Sequence, residues 1–312
     1  MTRTSIIGSG DWALALSKIL TSQNVILKCR NIIKTKKKIK NKNIKFTINF
    51  SDLIDSDYIF LAIPSQTVRK NLVDLKNKTK NIKSTFIICS KGVEKETNKL
   101  MSEVVKDIFP KNNLVILSGP NFSSELIRNK LSASVLSCSN QQILLDVSRL
   151  ISQKKFRIYF NNDIIGTQLG GAMKNVIAIA AGFIKGKNLG ENAKAAIITR
   201  GISEIVQLGL KMGAKRNTFY GLSGIGDLIL TCSSLKSRNT RLGFNLAKGQ
   251  KLDKLRKYNV LEGFESCESI CNLGKINNVE LPICNSVKKI INGVDVNQII
   301  LSLLSRPLQF EN

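Results

Sequence analysis

Histidine is absent from this 312-residue sequence, which removes every catalytic scheme and every metal site that depends on an imidazole. Acidic residues are scarce: 22 Asp and Glu stand against 48 Lys and Arg, for a net charge of +26. Aromatic residues make up only 6% of the chain, too few to build the stacking platforms that hold nucleic acid bases. The lysines are scattered among asparagines and isoleucines, as in TKKKIKNKNIK and DLKNKTKNIK. That is a compositional drift, whereas a phosphate backbone rewards a basic stripe. The charge therefore points to solubility and anionic small ligands, and no nucleic acid partner is expected.

Long apolar runs are missing too. The longest covers residues 176–184, well short of the about 20 residues needed to span a bilayer. The N-terminus carries a glycine motif where a signal peptide would need an apolar core and a small-residue cleavage site. A cytoplasmic protein with no membrane partner is expected. The seven cysteines include no C-x-x-C pair, which fits a reducing compartment and predicts no metal site. With 43% hydrophobic residues and five prolines, what remains is a globular composition with room for two domains.

A short apolar strand at residues 4–7 runs into Gly8-Ser9-Gly10-Asp11-Trp12-Ala13, and helically spaced leucines follow. This is G-x-G-x-x-A between a strand and a helix, the setting that gives a dinucleotide motif its meaning. Gly8 permits the tight turn, Gly10 lets the backbone approach a pyrophosphate, and the helix N-terminus faces the phosphates. After a second strand at 25–29 comes Arg30, 22 positions beyond Gly8. An NAD-binding protein places an acid about 20 positions on for the ribose hydroxyls. A base there suits the 2′-phosphate of NADP instead. Lys34, Lys36, Lys37 and Lys38 could assist, although a solvated face is the favoured reading for Lys36–Lys38.

Further strands are expected at 58–63, 85–89, 114–117, 133–136 and 156–160. Three of them end in polar or glycine-rich loops: Pro64-Ser65, Ser90-Lys91-Gly92, and the run from Ser118 to Ser123. Ligands gather at such strand ends in doubly wound sheets. The dinucleotide-binding domain is expected to span residues 1–165. From 166 to 312 the signals are helical, at 167–184, 192–212, 215–220, 228–232, 239–248, 262–273, 282–292 and 295–304, with a loose tail from 306.

One helical stretch stands apart. Residues 169–184 are small or apolar on every face except at Lys174 and Asn175. A helix apolar all round is buried, and a buried ammonium has its pKa drawn toward neutrality, where it suits acid–base work. The competing reading is a lysine that snorkels from a helix end to water. Periodicity alone does not choose between them.

Taken together, GSGDWALALS, AIPS, SKGVE, LSGPNFSSE, LGGAMKNVIAIAAG, NAKAAIITRG, GLSGIGDLILTCSS, SRNTRLG and NVLEGFES resemble the bacterial-type NAD(P)-dependent glycerol-3-phosphate dehydrogenases along nearly the whole chain. The resemblance implies an α/β protein, with an N-terminal Rossmann-type doubly wound sheet followed by an all-helical C-terminal domain. It implies reversible hydride transfer between dihydroxyacetone phosphate and sn-glycerol 3-phosphate, with NADP or NAD as cofactor, feeding glycerophospholipid synthesis. Lys174 is then the general acid, Asp227 holds and tunes it, Thr231 supports Asp227, and Lys91 contacts substrate and cofactor.

Gly119, Asn121, Asn175, Ser237, Arg238 and Asn239 are implied at the substrate, with Asn175 on its phosphate. Gly8, Gly10, Asp11, Trp12, Arg30, Ser123, Arg238, Val260 and Glu262 are implied at the cofactor. Asp11 departs from the usual serine, and its carboxylate should weaken cofactor binding unless a lysine offsets it. A β-hydroxyacid-type dehydrogenase and a catalytically silent nucleotide-binding protein remain as alternatives. A homodimer is expected only because symmetric dimers are the commonest oligomers.

Overall fold

The apolar segments of the first half assemble into one sheet. The computed structural model describes residues 2–20, 24–79, 82–256 and 260–294. Among them, β1 (Thr4–Ile7), β2 (Val25–Lys28), β3 (Ile44–Thr47), β4 (Tyr58–Leu61), β5 (Thr85–Ile88), β6 (Leu114–Ser118), β7 (Ser132–Ser137) and β8 (Phe156–Asn161) lie in the order β3-β2-β1-β4-β5-β6-β7-β8. The first six strands pair in parallel; β7 runs antiparallel to β6, and β8 is parallel to β7.

Helices cover both faces: α1 (Asp11–Ile19), α2 (Ile32–Lys38), α3 (Val68–Lys78), α4 (Met101–Ile108), α5 (Ser123–Ile127) and α6 (Gln141–Ile151). Successive strand residues point to opposite faces. Ile6 accordingly joins a core with Leu16 of α1 and Val147 of α6. Its neighbour Ile7 joins another with Leu72 of α3 and Val104 of α4.

The sequence pattern marks neither β3 nor α2. Both lie in the lysine- and asparagine-rich stretch, and β3 is an edge strand that buries only Ile44 and Thr47 fully. Its apolar signal is correspondingly weak. The Asn31 side chain starts α2 by accepting the Lys34 N–H at 2.8 Å, a standard N-terminal cap.

Beyond β8 the chain becomes helical: α7 (Ile164–Gly186), α8 (Glu191–Lys211), α9 (Arg216–Phe219), α10 (Asp227–Ser233), α11 (Arg238–Ala247), α12 (Leu252–Arg256), α13 (Glu262–Ile276) and α14 (Pro282–Ile291). α12 was not expected, and the helix expected at 295–304 lies outside the described residues. The glycine-rich turn before Asp227, Leu222–Gly226, is kinked at Gly224, whose backbone is not helical, and runs directly into α10.

α7 begins ahead of residue 167 because Asp163 caps it. One carboxylate oxygen accepts the Gly166 N–H, and the other accepts the Lys215 N–H, each at 2.8 Å. The helix is long and apolar enough to cross a membrane, yet 89% of its apolar window is buried by the rest of the protein. Residues of α8, α10, α11, α13 and α14 surround it. α11 crosses so closely that a Cβ on Gly182 would come within 1.9 Å of the Thr240 carbonyl oxygen. Such wrapping settles the position of Lys174: it lies mid-helix and is 8% exposed, far from any helix end from which to snorkel.

Candidate active site

A cleft of about 580 Å³ opens between the carboxyl ends of the strands and the helices around α7. At its floor stand two lysines and one carboxylate. Lys174 on α7 donates to Asp227 Oδ1 at 2.5 Å and to Thr231 Oγ1 at 2.8 Å. Asp227 and Thr231 sit four residues apart on α10, hence on one helix face. Lys91, in the loop after β5, donates to the second Asp227 oxygen at 2.6 Å and to the Gly119 carbonyl at 2.9 Å.

One buried carboxylate therefore holds both ammonium groups. Asp227 itself is 1% exposed. Burial pulls the Lys174 ammonium down to about 8; Asp227 pulls it back up, and the nearby Lys91 charge pushes it further down. A carboxylate does favour the charged lysine, but here desolvation outweighs it. Thr231 serves chiefly as a second acceptor for Lys174, since its own hydroxyl reaches Asp227 Oδ1 only at 3.4 Å.

The amides beside this cluster are occupied within the protein. Asn175 Nδ2 donates to the Lys91 and Gly171 carbonyls, and its Oδ1 accepts from Asn239 Nδ2. Asn239 Oδ1 in turn accepts the Gly263 N–H. This chain ties the Lys91 loop, α7, α11 and α13 together. Both N–H groups of Asn175 are used within the protein, whereas Asn239 Nδ2 has Asn175 as its one partner among the described residues; both residues line the cleft. Asn121 behaves similarly, with Nδ2 on the Ala133 carbonyl at 2.7 Å and Oδ1 accepting the Ser134 hydroxyl.

At the other end of the cleft the β1–α1 turn fits a dinucleotide. Gly8 has φ +129°, and a Cβ there would lie 2.2 Å from the Ala62 carbonyl oxygen. A Cβ on Gly10 would meet nothing within 4 Å, so the α1 N-terminus is open to a ligand. Trp12 lines the same wall, with its buried indole N–H turned toward the Cys89 thiol. Open backbone and a helix N-terminus suit a pyrophosphate.

Comparison with known proteins agrees with this geometry. Residues 3–144 match the sequence model of the NAD-dependent glycerol-3-phosphate dehydrogenase N-terminus, and residues 163–301 match that of its C-terminus. A glycerol-3-phosphate dehydrogenase [NAD(P)+] of Caulobacter vibrioides is 37% identical over 99% of this chain and 98% of its own. The chain belongs to the NAD-dependent glycerol-3-phosphate dehydrogenase family. A relative of the same name from Fusobacterium nucleatum is 36% identical, over 93% of this chain and 92% of its own. The crystal structure of glycerol-3-phosphate dehydrogenase from Coxiella burnetii superposes with a TM-score of 0.92 at 28% identity, covering 98% of this chain and 99% of that one.

The remaining residues implied by the family pattern divide into two groups. Ser123, Ser237, Arg238, Val260 and Glu262 line the cleft. Ser237 caps α11 by accepting the Thr240 N–H at 3.2 Å. Arg238 is exposed, with no hydrogen bond or ion pair among the described residues, and its guanidinium is free for a phosphate. Glu262 instead faces Ser65, accepting its N–H at 3.0 Å and its hydroxyl as well. Burial pushes the Glu262 carboxyl above its ordinary range. Arg30 is exposed just beyond the end of β2 and is not among the residues that line this cleft.

Three contacts near this cleft were not foreseen in the sequence. Ser65 pairs with Glu262 across 197 positions, a spacing that no local pattern reveals. Arg241 lines the cleft one helical turn beyond Arg238, and that spacing could have flagged it. Lys38 was assigned to a solvated face, yet its ammonium lies 2.7 Å from Asp11 Oδ1.

Proposed function

We propose that this chain interconverts dihydroxyacetone phosphate and sn-glycerol 3-phosphate, using NADPH and tolerating NADH, to supply glycerophospholipid synthesis. The buried Lys174–Asp227–Lys91 cluster at the floor of a dinucleotide cleft carries this reading. Residues 1–165 hold the cofactor, and residues 166–312 supply the proton donor and the phosphate anchor.

Reduction of the ketone needs a hydride at carbon and a proton at oxygen. When bound, the nicotinamide supplies or accepts the hydride. Lys174 gives its proton to the developing alkoxide and is left neutral, a state that burial already favours. Asp227 and Thr231 fix the direction of the ammonium group, and Lys91 adds positive charge where the oxyanion forms. Arg238, with Arg241 beside it, anchors the substrate phosphate; holding the carbonyl in reach lowers the barrier by several kcal/mol. Asn175 and Asn239 act through position, keeping the Lys91 loop on α7. The absence of an acid after β2, with Arg30 in its place, supports NADPH. A cytoplasmic homodimer is the setting we propose, on the composition and on the prevalence of twofold pairs alone.

Absorbance of the reduced dinucleotide at millimolar dihydroxyacetone phosphate tests the proposal. Turnover is expected with NADPH and more weakly with NADH, and none with 3-oxoacids in place of the phosphate ester. Tight NADPH binding without turnover of any ketone would instead favour a silent nucleotide-binding protein.

A further inference from the structure

Asp11 places a carboxylate in the first turn of α1, at the wall of the cofactor cleft. For the helix alone this is favourable, because an acid complements the positive N-terminal dipole. For the cofactor it is adverse, because the dinucleotide phosphates approach the same N–H groups. The two demands conflict unless a cation stands by.

The structure supplies that cation from a neighbouring element. Lys38, the last residue of α2, points its ammonium at Asp11 Oδ1, 2.7 Å away, across 27 positions of sequence. The other lysines of the run do not take this place. Lys36 lies over the Phe46 ring at 6.0 Å, while Lys34 and Lys37 make no side-chain ion pair among the described residues. The Asp11 and Lys38 side chains are 63% and 40% exposed, so neither is needed to fill the core, and an exposed pair contributes little to folding.

We propose that Lys38 is a cofactor-affinity residue: it cancels the Asp11 charge at the pyrophosphate end of the cleft, so that the pair presents a neutral wall to the dinucleotide. The proposal rests on the reading of this cleft as a dinucleotide site. It concerns the pyrophosphate, which NADH and NADPH share, and leaves the 2′-phosphate to other groups.

Binding is measured directly by quenching of Trp12, the only tryptophan in the chain, with emission of the bound reduced nicotinamide as a second signal. Lys38→Ala exposes the Asp11 carboxylate and should raise the dissociation constants of NADPH and NADH alike, by about tenfold at low salt. At about 1 M salt, where the Debye length is about 3 Å, the difference should largely vanish. Asp11→Ser should bind at least as tightly as the native chain, and Asp11→Ser combined with Lys38→Ala should recover most of the loss. That recovery separates charge cancellation from damage to the fold, which thermal unfolding of each variant checks independently. Unchanged binding in Lys38→Ala, or a double variant as weak as the single one, would overturn the proposal. Weakening confined to NADPH would also overturn it, by placing Lys38 at the 2′-phosphate. If neither dinucleotide binds the native chain, the reading of the cleft falls first and this proposal with it.

Discussion

Lys174→Ala is expected to lower kcat for ketone reduction by about 10³-fold while leaving dinucleotide affinity close to native. The rate loss follows from removing the positioned proton donor, and general acid catalysis of this kind contributes about 10²–10⁴-fold. Binding survives because Lys174 lies at the floor of the cleft, whereas the pyrophosphate wall is made by Gly8, Gly10 and Trp12. The fold also survives: Asp227 keeps Lys91 as a partner at 2.6 Å, so no carboxylate is left buried without a cation. Lys174→Arg is the sharper control. A guanidinium keeps the charge opposite Asp227 but does not give up its proton, so it should be as slow as alanine. Single-turnover rates and fluorescence titration of the three proteins separate these effects. An Arg variant with near-native turnover would show that charge, rather than proton transfer, is what the position supplies.

Asp227→Ala should be the most damaging substitution for stability, lowering the unfolding free energy by about 3–5 kcal/mol as breaking a buried pair does. It leaves Lys91 and Lys174 facing each other with no anion between them. The pH dependence identifies the cause. In the native protein the Lys174 pKa lies at about 8, below its ordinary 10.5. Between those two values the unfolded chain binds more protons than the folded one, so this group makes stability rise with pH across the window. Without Asp227 the folded pKa drops further and the window opens at lower pH. The deficit of the variant should therefore narrow as pH rises toward about 8 and stay constant above it. Denaturant unfolding at several pH values checks this, and a deficit independent of pH would point to lost packing rather than lost charge.

Much of this site was legible in the sequence because its local chemistry is conspicuous. A helix without a polar face isolates Lys174 and Asn175, and a glycine turn between strand and helix marks the cofactor wall. What was not legible arises where distant segments meet. No spacing rule connects Ser65 with Glu262, or Asn175 with Asn239 and Gly263. Those contacts tie the walls of the cleft together. The lysine-rich drift obscured a different region. It hid the edge strand β3, whose Lys45 is exposed beside the buried Ile44, and it made Lys38 look like one more solvated charge. The pKa of Lys174 was anticipated in direction by burial, yet the balance between burial and Asp227 required the observed geometry.

The most direct test of Lys174 as the proton-transfer group is kcat/KM against pH in both directions, since that ratio reports groups of the free enzyme. Reduction needs the ammonium and should fall as pH rises through about 8, while oxidation of glycerol 3-phosphate needs the neutral amine and should rise through the same midpoint, the value set by burial against Asp227. Two profiles that are flat between pH 7 and 9, or that bend in the same sense, would contradict the assignment.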